Sequence, residues 1–209
     1  MLAIRQSVDI KVGQQQVPAE IISFDGLESG KEHVALRFNR AETGDNPPTL
    51  VRVHSECLTG DIFHSSRCDC GEQLNEAINR LDQFGGVLLY MRQEGRGIGL
   101  YNKLDAYVLQ DQGLDTYAAN VELGFAEDSR DFTEAAEMLK ALNIQKVELI
   151  TNNPRKTQQL SAHGIDVVAT QNTAVHQKSD NVGYLKAKQS LGQHELNLSH
   201  DGEQPCQNC

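Results

Sequence analysis

The spacing of apolar residues changes near residue 71, and this change constrains the fold more than any other feature of the chain. Before it, turn residues separate three short strand-like runs, 17–24, 33–38 and 49–54. Runs of this length bounded by turns predict an antiparallel meander. After it, apolar residues recur at the helical intervals i, i+3, i+4 and i+7, as in Leu74, Ala77, Ile78 and Leu81.

Beyond residue 71, predicted helices and strands alternate. Helices are predicted at 71–84, 100–111, 131–142 and 153–164, with a last helix around 185–191. Strands are predicted at 87–91, 146–151 and 165–169. Alternation of this kind indicates α/β layering. We therefore predict a mixed α/β (α+β) fold, in which N-terminal antiparallel strands lead into alternating βα units.

Local signals place several helix ends. Asp131 with Glu134 three residues later is typical of a capping box, and Asn153-Pro154 supplies an N-cap and a first helical residue. At roughly 150 residues per domain, we expect a single catalytic domain over 1–195. The polar residues 196–209 are expected to form a flexible tail.

Charge and hydropathy argue against two classes of protein. Nineteen basic against 29 acidic residues give a formal net charge of −10, whereas nucleic-acid-binding proteins present a basic face. An anionic small ligand stays compatible, since the local arrangement of charges sets the field inside a cleft. No apolar run approaches the ~20 residues of a membrane span, and residues 1–12 lack the apolar core of a secretory signal. We expect a cytoplasmic protein with no membrane partner.

Three of the five cysteines, Cys57, Cys68 and Cys70, lie between a predicted strand and the first predicted helix. Three thiolates with a fourth position for water are typical of a catalytic zinc site. A fourth protein ligand, which Cys206-x-x-Cys209 offers, would make a closed structural site, and buried free thiols are a third alternative. Polar residues crowd the same stretch, as expected beside a metal-activated water: Arg52, His54, Ser55, Glu56 and Asp61.

A glycine-rich segment, Arg92–Gly99, joins the predicted strand 87–91 to the next helix. Backbone N–H groups at such a turn, together with the guanidinium groups of Arg92 and Arg96, suit phosphate oxygens. The alternative is an ordinary strand–helix turn with solvated arginines.

Two more polar segments, 128–131 and 151–156, stand directly ahead of predicted helices. Helix capping alone would explain the first of them. Ligands gather beyond the carboxyl ends of strands in an open α/β sheet, so Glu94 and Thr151 are expected to face a shared cleft.

The content and order of these segments resemble the GTP cyclohydrolase II family. The zinc-binding signature of that family is similar to Arg52-Val53-His54-Ser55-Glu56-Cys57-Leu58-Thr59-Gly60-Asp61 followed by Arg67-Cys68-Asp69-Cys70-Gly71. Further matching segments are Arg92-Gln93-Glu94-Gly95-Arg96, Leu109-Gln110-Asp111-Gln112-Gly113, Asp115-Thr116 and Thr151-Asn152-Asn153-Pro154-x-Lys156. The resemblance runs in order from about residue 31 to 192, most of the chain.

The resemblance implies a zinc enzyme of riboflavin biosynthesis. It implies hydrolysis of the imidazole ring of GTP, with release of formate and pyrophosphate, to give 2,5-diamino-6-(5-phosphoribosylamino)pyrimidin-4(3H)-one. By position, Cys57, Cys68 and Cys70 would hold one Zn²⁺ per subunit, and Mg²⁺ would accompany the triphosphate. The family also suggests a homodimer, and the chain length suggests a form with this single function.

The resemblance also implies roles for individual residues. Asp128 would be the proton acceptor, Arg130 the nucleophile, and Tyr107 a residue important for ring opening. The GTP contacts would be Arg52, Val53, His54, Ser55, Glu56, Gln73, Glu94, Gly95, Arg96, Thr116, Thr151 and Lys156. Glu56 or Glu94 could accept hydrogen bonds from the guanine edge, which favours GTP over ATP.

Two other functions remain open from the residues. A divergent paralogue would complete only part of the reaction, and a zinc-stabilised GTP-binding module would regulate rather than catalyse. A charged guanidinium, with a pKa above ~12, is a poor nucleophile, so Arg130 would alternatively stabilise charge at the α-phosphate. The chain departs from the family at Asp105, where a basic residue is usual, and at His64-Ser65-Ser66.

Overall fold

The computed structural model describes residues 2–38 and 47–190. Its strands are β1 Ala3–Val12, β2 Val17–Asp25, β3 Val34–Phe38, β4 Thr49–Ser55, β5 Gly86–Met91, β6 Lys146–Ile150 and β7 Asp166–Gln171. Its helices are α1 Leu58–Asp61, α2 Cys70–Phe84, α3 Leu100–Asp111, α4 Thr116–Glu122, α5 Thr133–Ala141, α6 Pro154–Ala162 and α7 Val182–Ser190. A 3₁₀ turn, Glu94–Gly97, precedes α3.

The strands form one mixed sheet in the order β1-β2-β3-β5-β4-β6-β7. Neighbours from β1 through β3 to β5 are antiparallel, whereas β5, β4, β6 and β7 run parallel to one another. The predicted mixed α/β fold, antiparallel first and βα units afterwards, is confirmed. Among the described residues, no helix is both long and apolar enough to cross a membrane.

The prediction that residues 49–54 continue the antiparallel meander is wrong. This run forms β4, which lies between β5 and β6 and is parallel to both. Four consecutive residues of β4 are buried instead of alternate ones. Burial on both faces is typical of a central parallel strand, and a short apolar run does not reveal its neighbours.

Three of the strands and α-helices escaped prediction: β1, the four-residue helix α1, and α4. Strand β1 pairs with β2 along its whole length, and its side chains are almost all exposed, although Val8, Ile10 and Val12 alternate with polar residues as in a strand. Helix α4 spans only seven residues, and its N-cap Asp115 accepts hydrogen bonds from the backbone N–H groups of Tyr117 and Ala118.

The predicted capping box at Asp131 and Glu134 does not form. Asp131 Oδ1 accepts a hydrogen bond from the backbone N of Thr133 at 2.6 Å, as a cap would. The Glu134 carboxylate instead accepts from the backbone N and Oγ of Ser29, at 2.8 and 2.6 Å, and lies 2.9 Å from His33 Nε2. Ser29 and His33, which are distant in the sequence, have thus replaced the backbone N–H that Glu134 would bond in a capping box.

Other helix ends follow the sequence signals. Asn153 caps α6 by accepting from the backbone N of Arg155, and Pro154 is its first residue. Helix α7 confirms the last predicted helix as far as residue 190, whereas residue 191 and the tail 196–209, with Cys206 and Cys209, lie outside the described residues.

Apolar clusters on both faces of the sheet hold the helices in place. On one face, strand residues such as Leu149 pack against Phe132, Met138 and Leu160 beside and within α5 and α6. On the other, a second cluster packs against α2, with Leu81 at its centre. Because β4 runs parallel to both β5 and β6, the carboxyl ends of the three strands meet at one edge of the sheet.

Candidate active site

A cleft opens at this edge, with an empty volume of about 1080 Å³ including its mouth. Its walls contain nearly all of the residues predicted for the site: Arg52, His54, Ser55, Glu56, Cys57, Cys68, Cys70, Gln73, Glu94, Gly95, Arg96, Tyr107, Thr116, Arg130, Thr151 and Lys156. Val53 and Asp128 are not in the walls. Val53 packs in the core and Asp128 lies behind Arg130. The structure thus gathers segments that are far apart in the sequence.

The pleat of β4 explains which of its residues face the cleft. Val51 and Val53 belong to the apolar cluster around α5. Because successive strand residues point to opposite faces, Arg52 and His54 point toward α2 and the cysteines. Both are buried, at 4% and 2% relative exposure.

The three thiols form a compact group. Cys57 precedes α1, Cys70 begins α2, and Cys68 lies just before it. All three sulfur atoms lie within 4.8 Å of one another, and the Cys57 and Cys68 sulfurs are 3.7 Å apart. Within the described residues this is the group of side chains that could hold a metal ion.

Charge near the thiols favours a thiolate at Cys57. Its pKa is lowered because Cys68 and Cys70 donate hydrogen bonds to its sulfur, and Lys103 adds a positive charge. The pKa of Cys68 is raised to about 11 by its hydrogen bond with Cys57 and by burial, whereas its hydrogen bond with Cys70 acts in the opposite direction. The group therefore holds one negative charge readily and further ones only with a cation.

Lys103 was missed by the sequence analysis. Its Nζ lies 3.2 Å from Cys57 Sγ, and donates to Thr59 Oγ1 at 3.0 Å and to Glu94 Oε1 at 2.7 Å. Burial alone would lower its pKa, but Cys57, Tyr107 and Glu94 raise it. Its position four residues before Tyr107, on the same helical face, was the available signal.

The Glu94 carboxylate is held beside the cysteines by hydrogen bonds. Its carboxylate accepts from the backbone N of Leu58 at 2.6 Å and of Gly95 at 2.9 Å, besides the bond from Lys103. Three donors therefore already hold this predicted guanine contact.

Arg96 adopts a left-handed backbone conformation, with φ of 59°. Its guanidinium carbon stacks 3.8 Å from the centre of the Tyr117 ring. Its buried Nη1 has no hydrogen-bond partner among the described residues. A strained backbone and an unpaired buried donor at a cleft wall are typical of a ligand-binding residue.

Two further cations are buried in the cleft. Arg52 donates to the backbone O of Ile150 and to Gln73 Oε1, each at 3.0 Å. Lys156 Nζ donates to the backbone O of Val53 at 2.6 Å. The pKa of Lys156 is lowered well below its usual value by burial and by the nearby charges of Arg52 and Arg130. An anion in the cleft would relieve this repulsion.

Asp128 and Arg130 form a bidentate ion pair. Arg130 Nε and Nη2 donate to the two carboxylate oxygens at 2.9 and 2.7 Å, and Arg155 Nη1 lies 2.9 Å from the second oxygen. Burial opposes both charges, but the pair outweighs it, so the pKa of Asp128 is lowered and that of Arg130 is raised. Both groups are charged.

His54 and Tyr107 occupy different surroundings. His54 Nε2 lies 3.1 Å from Asp61 Oδ1, and burial, partly offset by Asp61, lowers its pKa and keeps it neutral. Tyr107 Oη lies 3.2 Å from Thr59 Oγ1, beside the cysteine group. Asp105 on the same helix is exposed and not in the cleft walls.

The fold and the cleft define an α/β protein whose site can hold a metal ion beside an anionic ligand. Residues 5–172 match the family model described as GTP cyclohydrolase II. The chain is 60% identical over 199 residues to the GTP cyclohydrolase-2 of Vibrio cholerae, which covers 95% of this chain and 100% of the relative. It is 53% identical over 169 residues to that of Buchnera aphidicola, covering 80% of this chain and 86% of the relative. The chain belongs to the GTP cyclohydrolase II family and is an enzyme.

Proposed function

We propose that the enzyme hydrolyses GTP, opening the imidazole ring and releasing formate and pyrophosphate. The product would be 2,5-diamino-6-(5-phosphoribosylamino)pyrimidin-4(3H)-one, in the first step of riboflavin biosynthesis. The observation that carries the proposal is the single cleft that joins three thiols to the buried cations Arg52 and Lys156. The names of the relatives support it.

Zinc fits the cysteine group. Tetrahedral zinc with Zn–S bonds of about 2.3 Å places its sulfur ligands about 3.8 Å apart, close to the 3.7 Å between Cys57 and Cys68. Cys57, Cys68 and Cys70 would hold one Zn²⁺ per subunit. The ion would supply Lewis acidity and an activated water at neutral pH.

The buried cations would bind the triphosphate. Arg52, Lys156 and Arg130 present charge to the cleft, and Arg96 offers an unpaired donor. Mg²⁺ bound to the phosphates would neutralise the remaining charge for the departure of pyrophosphate.

Glu56 is the better candidate for the guanine edge. Glu94 already accepts three hydrogen bonds, whereas the Glu56 carboxylate accepts from Arg92 Nε at 3.0 Å. Glu56 could accept from N1–H and the 2-amino group of guanine, a pattern that adenine lacks. With ATP in the cleft the Glu56 carboxylate would lose these two donors, which would disfavour ATP.

Asp128 would be the proton acceptor by its match to the family, but its ion pairs with Arg130 and Arg155 lower its pKa and so make it a weaker base. Arg130, held protonated by Asp128, suits electrostatic stabilisation of the α-phosphate better than nucleophilic attack. Tyr107 would assist ring opening, which its hydrogen bond to Thr59 beside the thiols supports.

The test is an assay with GTP and Mg²⁺ in which formate, pyrophosphate and the pyrimidine are measured together. We expect all three in equal amounts. No formate from zinc-loaded protein would contradict the proposal and favour the regulatory module, and pyrophosphate without formate would favour the divergent paralogue. Cys57→Ser should abolish formate release.

The remaining expectations are proposals of the same kind. One catalytic domain over 1–195 is supported by the single continuous sheet of the described residues. A homodimer in the cytoplasm, without nucleic-acid or membrane partners, stays a prediction. Gel filtration with light scattering would measure the subunit number.

A further inference from the structure

Helix α7 lies beyond residue 172, where the match to the family model ends. It nevertheless packs firmly against the site, since Leu185 is fully buried and Ala187 nearly so. Two of its residues, Tyr184 and Lys188, stand in the walls of the cleft. Neither belongs to the individual motifs that match the family, although the resemblance as a whole extends to about residue 192.

The segment that enters α7 is fastened to the cysteine loop. Lys178 Nζ donates to the backbone O of Cys68 at 3.3 Å and forms an ion pair with Glu72. Ser66 Oγ donates to Asp180 Oδ2 at 2.6 Å. These contacts determine where α7 begins, and hence where its cleft-facing residues lie.

Lys188 is held from two sides. Its Nζ donates to Asp69 Oδ1 at 3.0 Å and lies 4.3 Å from the centre of the Tyr184 ring. Its side chain is 11% exposed, and that of Asp69 is fully buried. An ammonium has three N–H donors, so these two contacts leave donor capacity toward the cleft.

Asp69 links Lys188 to the predicted GTP contacts. Its second oxygen accepts from Gln73 Nε2 at 2.6 Å, and Gln73 Oε1 accepts from Arg52 Nη2 at 3.0 Å. Lys188 also contributes to the repulsion that lowers the pKa of Lys156. The ammonium thus belongs to the same cluster of positive charge as Arg52 and Lys156.

We propose that Lys188 binds the phosphates of the nucleoside triphosphate, and that Asp69 and the Tyr184 ring hold its ammonium in position. The inference rests on the proposed function, because the phosphates are those of GTP. Helix α7 is then a functional part of the site and not only a C-terminal cover. Lys186 on the same helix is exposed and provides a matched control.

The experiment measures calorimetric binding of three ligands to the zinc-loaded full-length protein: guanosine, GMP and the α,β-methylene analogue of GTP. Losing a hydrogen bond to a charged group should weaken the triphosphate analogue about tenfold to a hundredfold in Lys188→Met. GMP should lose less and guanosine nothing. Lys188→Arg should recover most of the affinity, and Lys186→Met should match the wild type.

Unchanged affinity of Lys188→Met for the triphosphate analogue would overturn the proposal. An equal loss for guanosine would overturn it too, because that result indicates a structural role. If Asp69, left without its counter-ion, prevents folding, the double variant Asp69→Asn/Lys188→Met gives the same comparison. A wild type that binds none of the three ligands would overturn the proposed function as well, whereas a defect limited to variants at Lys188 leaves that function intact.

Discussion

Gly60 provides a sharp test of the cysteine group, because one added methyl would touch all three cysteines. A Cβ at this position would lie 2.7 Å from Cys68 Sγ, 2.9 Å from Cys70 Cβ and 3.1 Å from Cys57 Sγ. Ordinary contact begins at 3.4 Å, so the Cys68 sulfur would have to move by at least 0.7 Å, the difference between the two distances. Zinc sites tolerate deviations of about 0.2 Å in ligand distance.

The magnitude follows from this overlap. Overpacking of a filled site costs about 1–3 kcal/mol, and each 1.4 kcal/mol is a tenfold change in binding, so Gly60→Ala should weaken zinc binding about 5- to 150-fold. Gly60 is absent from the positions with a positive φ, so alanine introduces no backbone strain there. Alanine is also the better helix former, by about 1 kcal/mol.

The assay is a zinc titration against a chromophoric chelator, with the melting temperature of the metal-free protein as a check of folding. Gly183→Ala in α7 is the matched control, since nothing lies within 4 Å of its added Cβ. That variant should bind zinc as the wild type does. Wild-type zinc affinity in Gly60→Ala would refute the assignment of the metal to these three sulfurs.

Four other outcomes are expected. Glu56→Gln should reduce the ratio of kcat/KM for GTP over ATP about tenfold or more, because the guanine N–H groups lose a charged acceptor; an unchanged ratio would exclude Glu56 as the specificity residue. Lys103→Met should move the half-point of metal uptake to higher pH, because its charge lowers the pKa of Cys57, and uptake measured against pH checks this. Removal of zinc by a chelator should lower the melting temperature, and a thermal scan that shows no change would contradict this. Acidification from pH 7 to 5 should also lower it: burial lowers the pKa of His33 and His54 below 6.5, so the unfolded chain binds more protons as pH falls. His33→Gln should flatten that dependence in thermal scans, and an equally steep dependence would contradict the assignment.

Capping residues and apolar periodicity correctly predicted the helices that these features stabilise. Asn153-Pro154 caps α6 as expected, and the apolar stripe of α2 packs on the sheet. The pairing of β4 escaped prediction because its partners lie far along the chain. Strand β1 was overlooked although Val8, Ile10 and Val12 alternate with polar residues along it.

The site was predicted through its motifs, and what lay outside them was missed. Lys103 in α3 contacts Glu94 and Cys57, which lie outside that helix. Lys188 contacts Asp69, which is 119 positions earlier in the sequence. These contacts depend on tertiary packing, and the only signal in the spacing was that Lys103 lies four residues before Tyr107 on the same helical face. The resemblance also suggested that Arg130 is a nucleophile. Its ion pair with Asp128 argues against that role, because it keeps the guanidinium protonated.

The central place of β4 in the sheet has a consequence for how the chain folds during its synthesis. Val51 of β4 pairs with Val87 of β5 and with Leu149 of β6, which are 36 and 98 positions later in the chain. At a synthesis rate of about 5–20 residues per second, β4 waits several seconds for its second partner. During that interval the strand that carries Arg52 and His54 has an edge of unpaired backbone N–H and C=O groups. The nascent chain is therefore most exposed to aggregation or chaperone capture at the strand on which its chemistry depends.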